Sequence, residues 1–227
     1  MYSSLDLDCT SKVFRVKWVL IDDSIKIYSL VGYILLGMQV SDLSNQKNKM
    51  DSGEETIMLV DRTDMVVGEI SKIAAHQGVG QLHRAFTMFL QNKKGEWLLT
   101  QRSKAKPLWP LWWDAACSSH PWYPNEMIEQ AALRRMPFEL GLQIEQVQNL
   151  KVITAYEYHA VYSPAWSENE INHIVVATFD GSLAINPKEV SQYQWFSKQQ
   201  IDASLDNPEY FAPWFQQAWS LVQNYSL

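Results

Sequence analysis

The sequence predicts an α+β fold in which a mixed β-sheet is sandwiched between helices. Three observations carry this. Strand-like runs outnumber helical ones along residues 56–227. Turn signals punctuate them, the plainest being Asn92-Lys93-Lys94-Gly95. The clearest helix, 125–140, is interleaved between strands instead of grouped with other helices at one end.

Composition bounds the rest. A chain of 227 residues, 47% hydrophobic, can bury one sizeable core and carry an appendage. With 19% charged and 12% aromatic residues, wholesale disorder is excluded. A net charge of −6 argues against nucleic-acid binding, which needs a basic footprint. It leaves room for a small anionic ligand gripped by a few focused cations. Cys9 and Cys117 give no disulfide framework, so a reducing cytoplasm is expected. The apolar run 27–40 is too short for a comfortable membrane span, and no signal peptide or stable membrane insertion is expected.

Residues 1–55 read as an N-terminal extension: strand-like at 13–21, mixed at 27–40, then a polar linker through Glu55. The folded domain is expected over 56–227. Residues 56–60 read as a strand, 61–64 as a turn and 65–70 as its partner. Gly78 and Gly80 punctuate a connection between His76 and His83. The run 83–90 alternates as a strand, turns at 92–95 and returns over 96–101. In the helix, Asn125 is the expected N-cap and Gly141 the stop, with Pro137 expected to kink or tighten the last turn. Strands follow at 151–161 and 171–179 with a polar loop between them, then at 192–196. Ser197 caps a short helix, and 212–224 is an amphipathic terminal helix.

Residues 109–121 organise the chain. Trp109, Trp112 and Trp113 share thirteen residues with Cys117, Ser118, Ser119 and His120. Tryptophan wants burial plus a partner for its N–H, and the hydroxyls and imidazole want satisfaction. A polar pocket walled by aromatics accommodates both. His76, His83 and His120, with Glu168 and Glu170 two apart on one strand face, could enclose Zn²⁺, Mn²⁺ or Mg²⁺. His173 falls on the opposite strand face. Lys72, Arg102, Lys106 and Arg135 suit a phosphate. Arg135 and Glu139, four apart on the helix, are placed to pair with each other.

Glu126, Arg134, Glu139 and Gly141 keep the spacing of part of a Nudix box. His120 stands where the box begins with Gly, and Arg135 and Phe138 replace two of its acidic positions. Leu82-His83-Arg84-Ala85-Phe86, Gln101-Arg102-Ser103, Ser119-His120-Pro121, Arg134-Arg135, Glu139-Leu140-Gly141, Glu168-Asn169-Glu170 and Ala212-Pro213-Trp214 follow in order. From about Met58 to Trp219 the chain resembles type 1 isopentenyl diphosphate isomerase, a Nudix-fold enzyme.

The resemblance implies conversion of isopentenyl to dimethylallyl diphosphate in isoprenoid biosynthesis. It implies a first metal on His76, His83, His120, Glu168 and Glu170, and Mg²⁺ bridging Glu139 and the diphosphate. Lys72, Arg102, Lys106, Ser119 and Arg135 would surround that diphosphate. Trp214 would face the hydrocarbon, and Tyr158 would assist proton transfer beside Glu170. The family's catalytic cysteine position holds Ser118 here, with a thiol one residue earlier at Cys117, reachable only through a bulge. The usual Thr-Asn is Asp114-Ala115, and the Gly of a Pro-Gly turn is Leu111. These departures predict reduced turnover. They leave a Nudix-type diphosphate hydrolase and a non-catalytic prenyl diphosphate binder as alternatives.

Overall fold

A computed structural model describes residues 54–207 and 210–225. Cys9 and the expected elements at 13–21 and 27–40 lie outside the described residues. Chain order is β1 (Thr56–Val60), β2 (Val66–Ser71), α1 (Lys72–Ala75), β3 (His83–Gln91), β4 (Trp97–Arg102), β5 (Trp113–Asp114), β6 (Cys117–Ser119) and α2 (Ile128–Leu140). Then come β7 (Gln148–Ser163), β8 (Trp166–Thr178), β9 (Val190–Phe196), α3 (Lys198–Ser204) and α4 (Phe215–Val222).

Strand β3 is the spine of a mixed sheet. One edge runs parallel to β8 along its whole length, from His83↔Glu170 to Gln91↔Thr178. The other edge is shared in turn by β1 at His83, β6 at Phe86–Met88 and β4 at Gln91. β8 continues antiparallel into β7, and β4 into β5 and β9.

Alternation along β3 and β8 builds two cores. Phe86, Met88, Leu90, Val175 and Ala177 pack with Ala131, Ala132 and Met136 of α2. Phe89, Ile174 and Val176 pack with Phe215, Ala218 and Trp219 of α4 and Ile201 of α3. The predicted sandwich is therefore present. The second face also changes character along its length. Its β3 positions run Phe89, Thr87, Ala85, His83, and its β8 positions run Val176, Ile174, Asn172, Glu170, Glu168. One sheet face thus passes from dry core to ionisable cluster within a few residues.

Several elements differ from expectation. Helix α2 starts at Ile128, with Met127 as N-cap and Gln130 Oε1 accepting its N–H at 2.9 Å. Asn125 does not cap it, because the preceding segment closes its own turn. Trp122 N–H donates to Glu126 Oε2, and Glu126 N–H donates to Trp122 O. The helix runs through Pro137 to Leu140 and stops at Gly141, whose φ is 63°. The polar stretch expected as a loop before 171 is strand: Ser163 pairs with Trp166, so only Pro164 and Ala165 turn the chain. Pairing with β7 throughout, and with β3 from Glu170 onward, overrides local polarity there. The last helix begins at Phe215, and the expected first residue, Ala212, instead joins Trp113 through its N–H. Glu55, read as linker, is 4% exposed and built into the folded unit.

Candidate active site

Four elements deliver the ionisable cluster. Ser71 caps the short helix α1, which ends at His76. His83 opens β3 opposite Glu170 of β8, Glu168 shares Glu170's strand face, and His120 follows β6. One ligand atom from each of these five buried residues lies within 4.8 Å of the others. That is close to the span of a single coordination sphere.

The hydrogen-bond pattern fits a divalent cation. His76 Nδ1 and His83 Nδ1 face the carbonyls of Lys72 and Gln81 at 2.5 and 2.7 Å. Such contacts fix the ring tautomer and leave each Nε2 as a lone pair turned inward. His83 Nε2 and Glu168 Oε2 are buried without a hydrogen-bond partner, although His76 Nε2 approaches Glu168 Oε2 to 2.8 Å. Close but misaligned polar atoms are what a shared cation resolves. Burial pushes His120 down to about 3, against the pull of Glu170, so its ring is neutral as a ligand must be. Burial and the charge of Glu170 raise Glu168. For Glu170 the same burial is outweighed by His120 and His83, which hold it well below the carboxylate range.

Beside this cluster opens a cavity of about 370 Å³. Lys72, Arg102, Lys106, Arg135, Ser118, Ser119, Tyr158 and Trp214 line it together with His76, His120, Glu168 and Glu170. Tyr158 donates its hydroxyl to Glu170 Oε2 at 2.5 Å; burial first, then Glu170, push this phenol well above its ordinary value. Trp214 is 3% exposed and meets Trp109 edge-on at 5.6 Å and Tyr158 at 6.0 Å. Ser119 Oγ is buried without a partner. As expected, His173 stays out; its Nε2 contacts Asp64 Oδ2 at 2.9 Å.

Three expected residues lie elsewhere than expected or are already engaged. Cys117 is 1% exposed in the core beside α2 and does not line the cavity. The β3–β6 register runs through Met88↔Cys117, Thr87↔Ser118 and Phe86↔Ser119 without a shift. No bulge turns the thiol round, so Cys117 and Ser118 face opposite ways, and burial raises the thiol well above its ordinary value. Glu139 is outside the cavity lining; its Oε1 accepts from Arg135 Nε at 2.9 Å. Arg102 lines the cavity, but its Nε and a terminal nitrogen hold the Leu108 and Trp109 carbonyls, fixing the aromatic loop.

Sequence reasoning missed Glu55 and Glu189. Glu55 Oε2 lies 2.6 Å from Lys72 Nζ, while Glu189 pairs with Lys106 and lies 3.2 Å from Arg135. Both are acids in polar segments, and only the fold brings them to the cations. Glu126 and Arg134 gain a different job from the one a Nudix box suggests. Arg134 grips both Glu126 oxygens, stacks 3.8 Å over Trp122 and donates to the His120 carbonyl, which anchors the backbone of that histidine.

This fold and buried site define a Nudix-fold protein, and the NUDIX domain model matches residues 81–217. The crystal structure of DR0079 from Deinococcus radiodurans superposes with a TM-score of 0.59 at 19% identity, covering 74% of this chain and 99% of that one. Isopentenyl-diphosphate Delta-isomerase 1 of Photorhabdus laumondii is 37% identical over 173 residues, covering 75% of this chain and 97% of that protein. The Haloarcula marismortui isopentenyl-diphosphate Delta-isomerase is 34% identical over 172 residues, covering 73% and 90%. The chain belongs to the type 1 isopentenyl-diphosphate isomerase family.

Proposed function

We propose that this chain interconverts isopentenyl and dimethylallyl diphosphate for isoprenoid biosynthesis, with lower turnover than a cysteine-bearing site. The observation that carries the reading is one cavity that joins a cation grip, a Tyr158–Glu170 pair and the Trp214 wall. A diphosphate with a short branched hydrocarbon asks for all three. Moving the double bond requires a proton added at one end of the skeleton and another removed nearby, through a tertiary carbocation.

Tyr158, kept protonated and bonded to the ionised Glu170, supports delivery of a proton from one side. The ring face of Trp214 favours the cation through its quadrupole. Lys72, Lys106, Arg135 and the unpartnered Ser119 hydroxyl hold the diphosphate end and so fix the hydrocarbon in place. His76, His83, His120, Glu168 and Glu170 hold Zn²⁺ or Mn²⁺ (or Mg²⁺), which when bound supplies fixed positive charge that orders the two carboxylates. Mg²⁺ would accompany the diphosphate, and Glu139, here bonded to Arg135, would help to hold it. A cytoplasmic setting fits the free thiol of Cys117; among the described residues no helix is long and apolar enough to cross a membrane.

Hydrolysis is the weaker reading. Two acidic positions of the box hold Arg135 and Phe138, and of the two acids kept, Glu126 is tied to Arg134 and Glu139 to Arg135. The test is mass-spectrometric deuterium uptake into isopentenyl diphosphate in D₂O with Mg²⁺ and Mn²⁺. Uptake that disappears in Glu170→Gln is expected. Phosphate release without uptake would transfer the chain to the hydrolases.

A further inference from the structure

Behind the site lies a buried carboxyl that the mechanism above does not use. Asp114 is 3% exposed and lies behind the cavity wall, outside its lining. Its Oδ1 accepts three hydrogen bonds: from Ala115 N–H at 2.7 Å, Trp214 Nε1–H at 2.9 Å and Ser118 Oγ–H at 3.1 Å. Its Oδ2 has Arg102 as ion-pair partner at 3.6 Å, beyond hydrogen-bond range. Ser118 is the one of the three donors that also faces the cavity with a transferable proton, and it stands on the side of β6 opposite Cys117.

Resting on the isomerase reading, we propose that Asp114 is the proton acceptor behind Ser118, so that a Ser–Asp pair serves where the family uses a thiol. Ser118 is then the catalytic residue that touches substrate, and Asp114 the positioning residue that acts through it. An alcohol alone is a poor base. An alcohol bonded to a buried carboxylate can take a proton while passing on its own. In the step, the C2–H bond of the carbocation breaks and its electron pair becomes the C2=C3 double bond, cancelling the charge at C3. The proton goes to Ser118 Oγ as the Ser118 proton moves to Asp114 Oδ1. The hydroxyl ends neutral, as it began, and one proton has moved from carbon to carboxylate; the reverse reaction returns it.

Anchoring the Trp214 indole alone does not explain an acid at 114. A neutral amide or hydroxyl also accepts an indole N–H, without the cost of burying a charge. Burial also raises Asp114, against the lowering pull of Arg102 and its hydrogen-bond donors, so it takes up a proton more readily than an exposed aspartate.

The test is a mutant cycle read by deuterium exchange and steady-state kinetics. In the Ser118 background, Asp114→Asn lowers kcat by at least about 100-fold, the scale of a lost general base, with KM changed by less than about threefold. In the Ser118→Cys background the same change costs less than about tenfold, because a thiol ionises by itself. Asp114→Thr, a second neutral variant, carries the same prediction if Asn does not fold. Equal losses in both backgrounds mean that Asp114 acts through Trp214 or the fold, and overturn the proposal. So does an unchanged kcat in the Ser118 background. A silent wild type beside an active Ser118→Cys variant overturns the relay while sparing the isomerase reading. Silence in both removes the isomerase reading, and the relay with it.

Discussion

At residue level, one position shows what a departure from the family costs. Leu111 occupies the position of a turn glycine and has φ of 66°. A side chain in the left-handed region costs roughly 1–2 kcal/mol, partly offset by the extra chain entropy that glycine loses on folding. Leu111 is half exposed, so little packing is lost on its removal. Leu111→Gly is expected to raise unfolding stability by about 1 kcal/mol in denaturant titrations; a loss would mean that the loop leans on this side chain. Glu189 gives a pH dependence. Burial raises its pKa, but Lys106 and Arg135 outweigh burial and hold it at about 2, from an ordinary value of 4.5. A depressed folded value means that the contribution is fully present above about pH 4.5 and lost as pH falls toward 2. The stability gap between wild type and Glu189→Gln should therefore shrink across that window. A gap independent of pH would show that the ion pairs contribute nothing net.

At the level of elements, the strongest local signals were the reliable ones. The hairpin at Asn92–Gly95, the Ser197 cap and the Gly141 stop each rest on chemistry confined to a few residues, and each is present. What local chemistry could not tell was the start of α2, set by the Trp122–Glu126 turn, and the strand character of residues 166–170. That segment is polar because it supplies Glu168 and Glu170, and it is strand because β7 pairs with it throughout, with β3 joining at Glu170. Gly141 shows how tightly α2 is docked: an added Cβ would lie 2.2 Å from the Ala184 carbonyl oxygen. Gly141→Ala should cost at least about 2 kcal/mol, combining overlap with a left-handed backbone. A smaller loss, measured by chemical denaturation, would show that the 183–186 segment yields freely.

For the molecule as a whole, the candidate site was largely legible and its balance of charge was not. The histidines, Glu168–Glu170 and the cations could be named from residue type and spacing, because a candidate metal cage and a diphosphate grip draw on few side-chain chemistries; Trp214 could be named only through the family resemblance. Glu55 and Glu189 could not be named, since an acid in a polar segment looks like surface until folding buries it; Asp114 sits in an apolar run, but nothing local shows which groups it meets. Glu168 and His83 Nε2 also leave the folded apo site with polar groups that a cation would satisfy. Zn²⁺ or Mn²⁺ added to metal-stripped protein should therefore raise Tm in a concentration-dependent way, and His83→Ala should remove the shift. An equal shift in that variant would place the ion elsewhere.

The central claim is that Tyr158, Glu170 and Trp214 act on the hydrocarbon of a diphosphate held by Lys72, Lys106 and Arg135. The most direct measurement is NMR of isopentenyl diphosphate incubated in D₂O with the metal-loaded protein. The account predicts deuterium in the newly formed methyl group of dimethylallyl diphosphate, and none with Glu170→Gln. Substrate recovered unlabelled from the metal-loaded wild type, at protein concentrations that saturate binding, would contradict it.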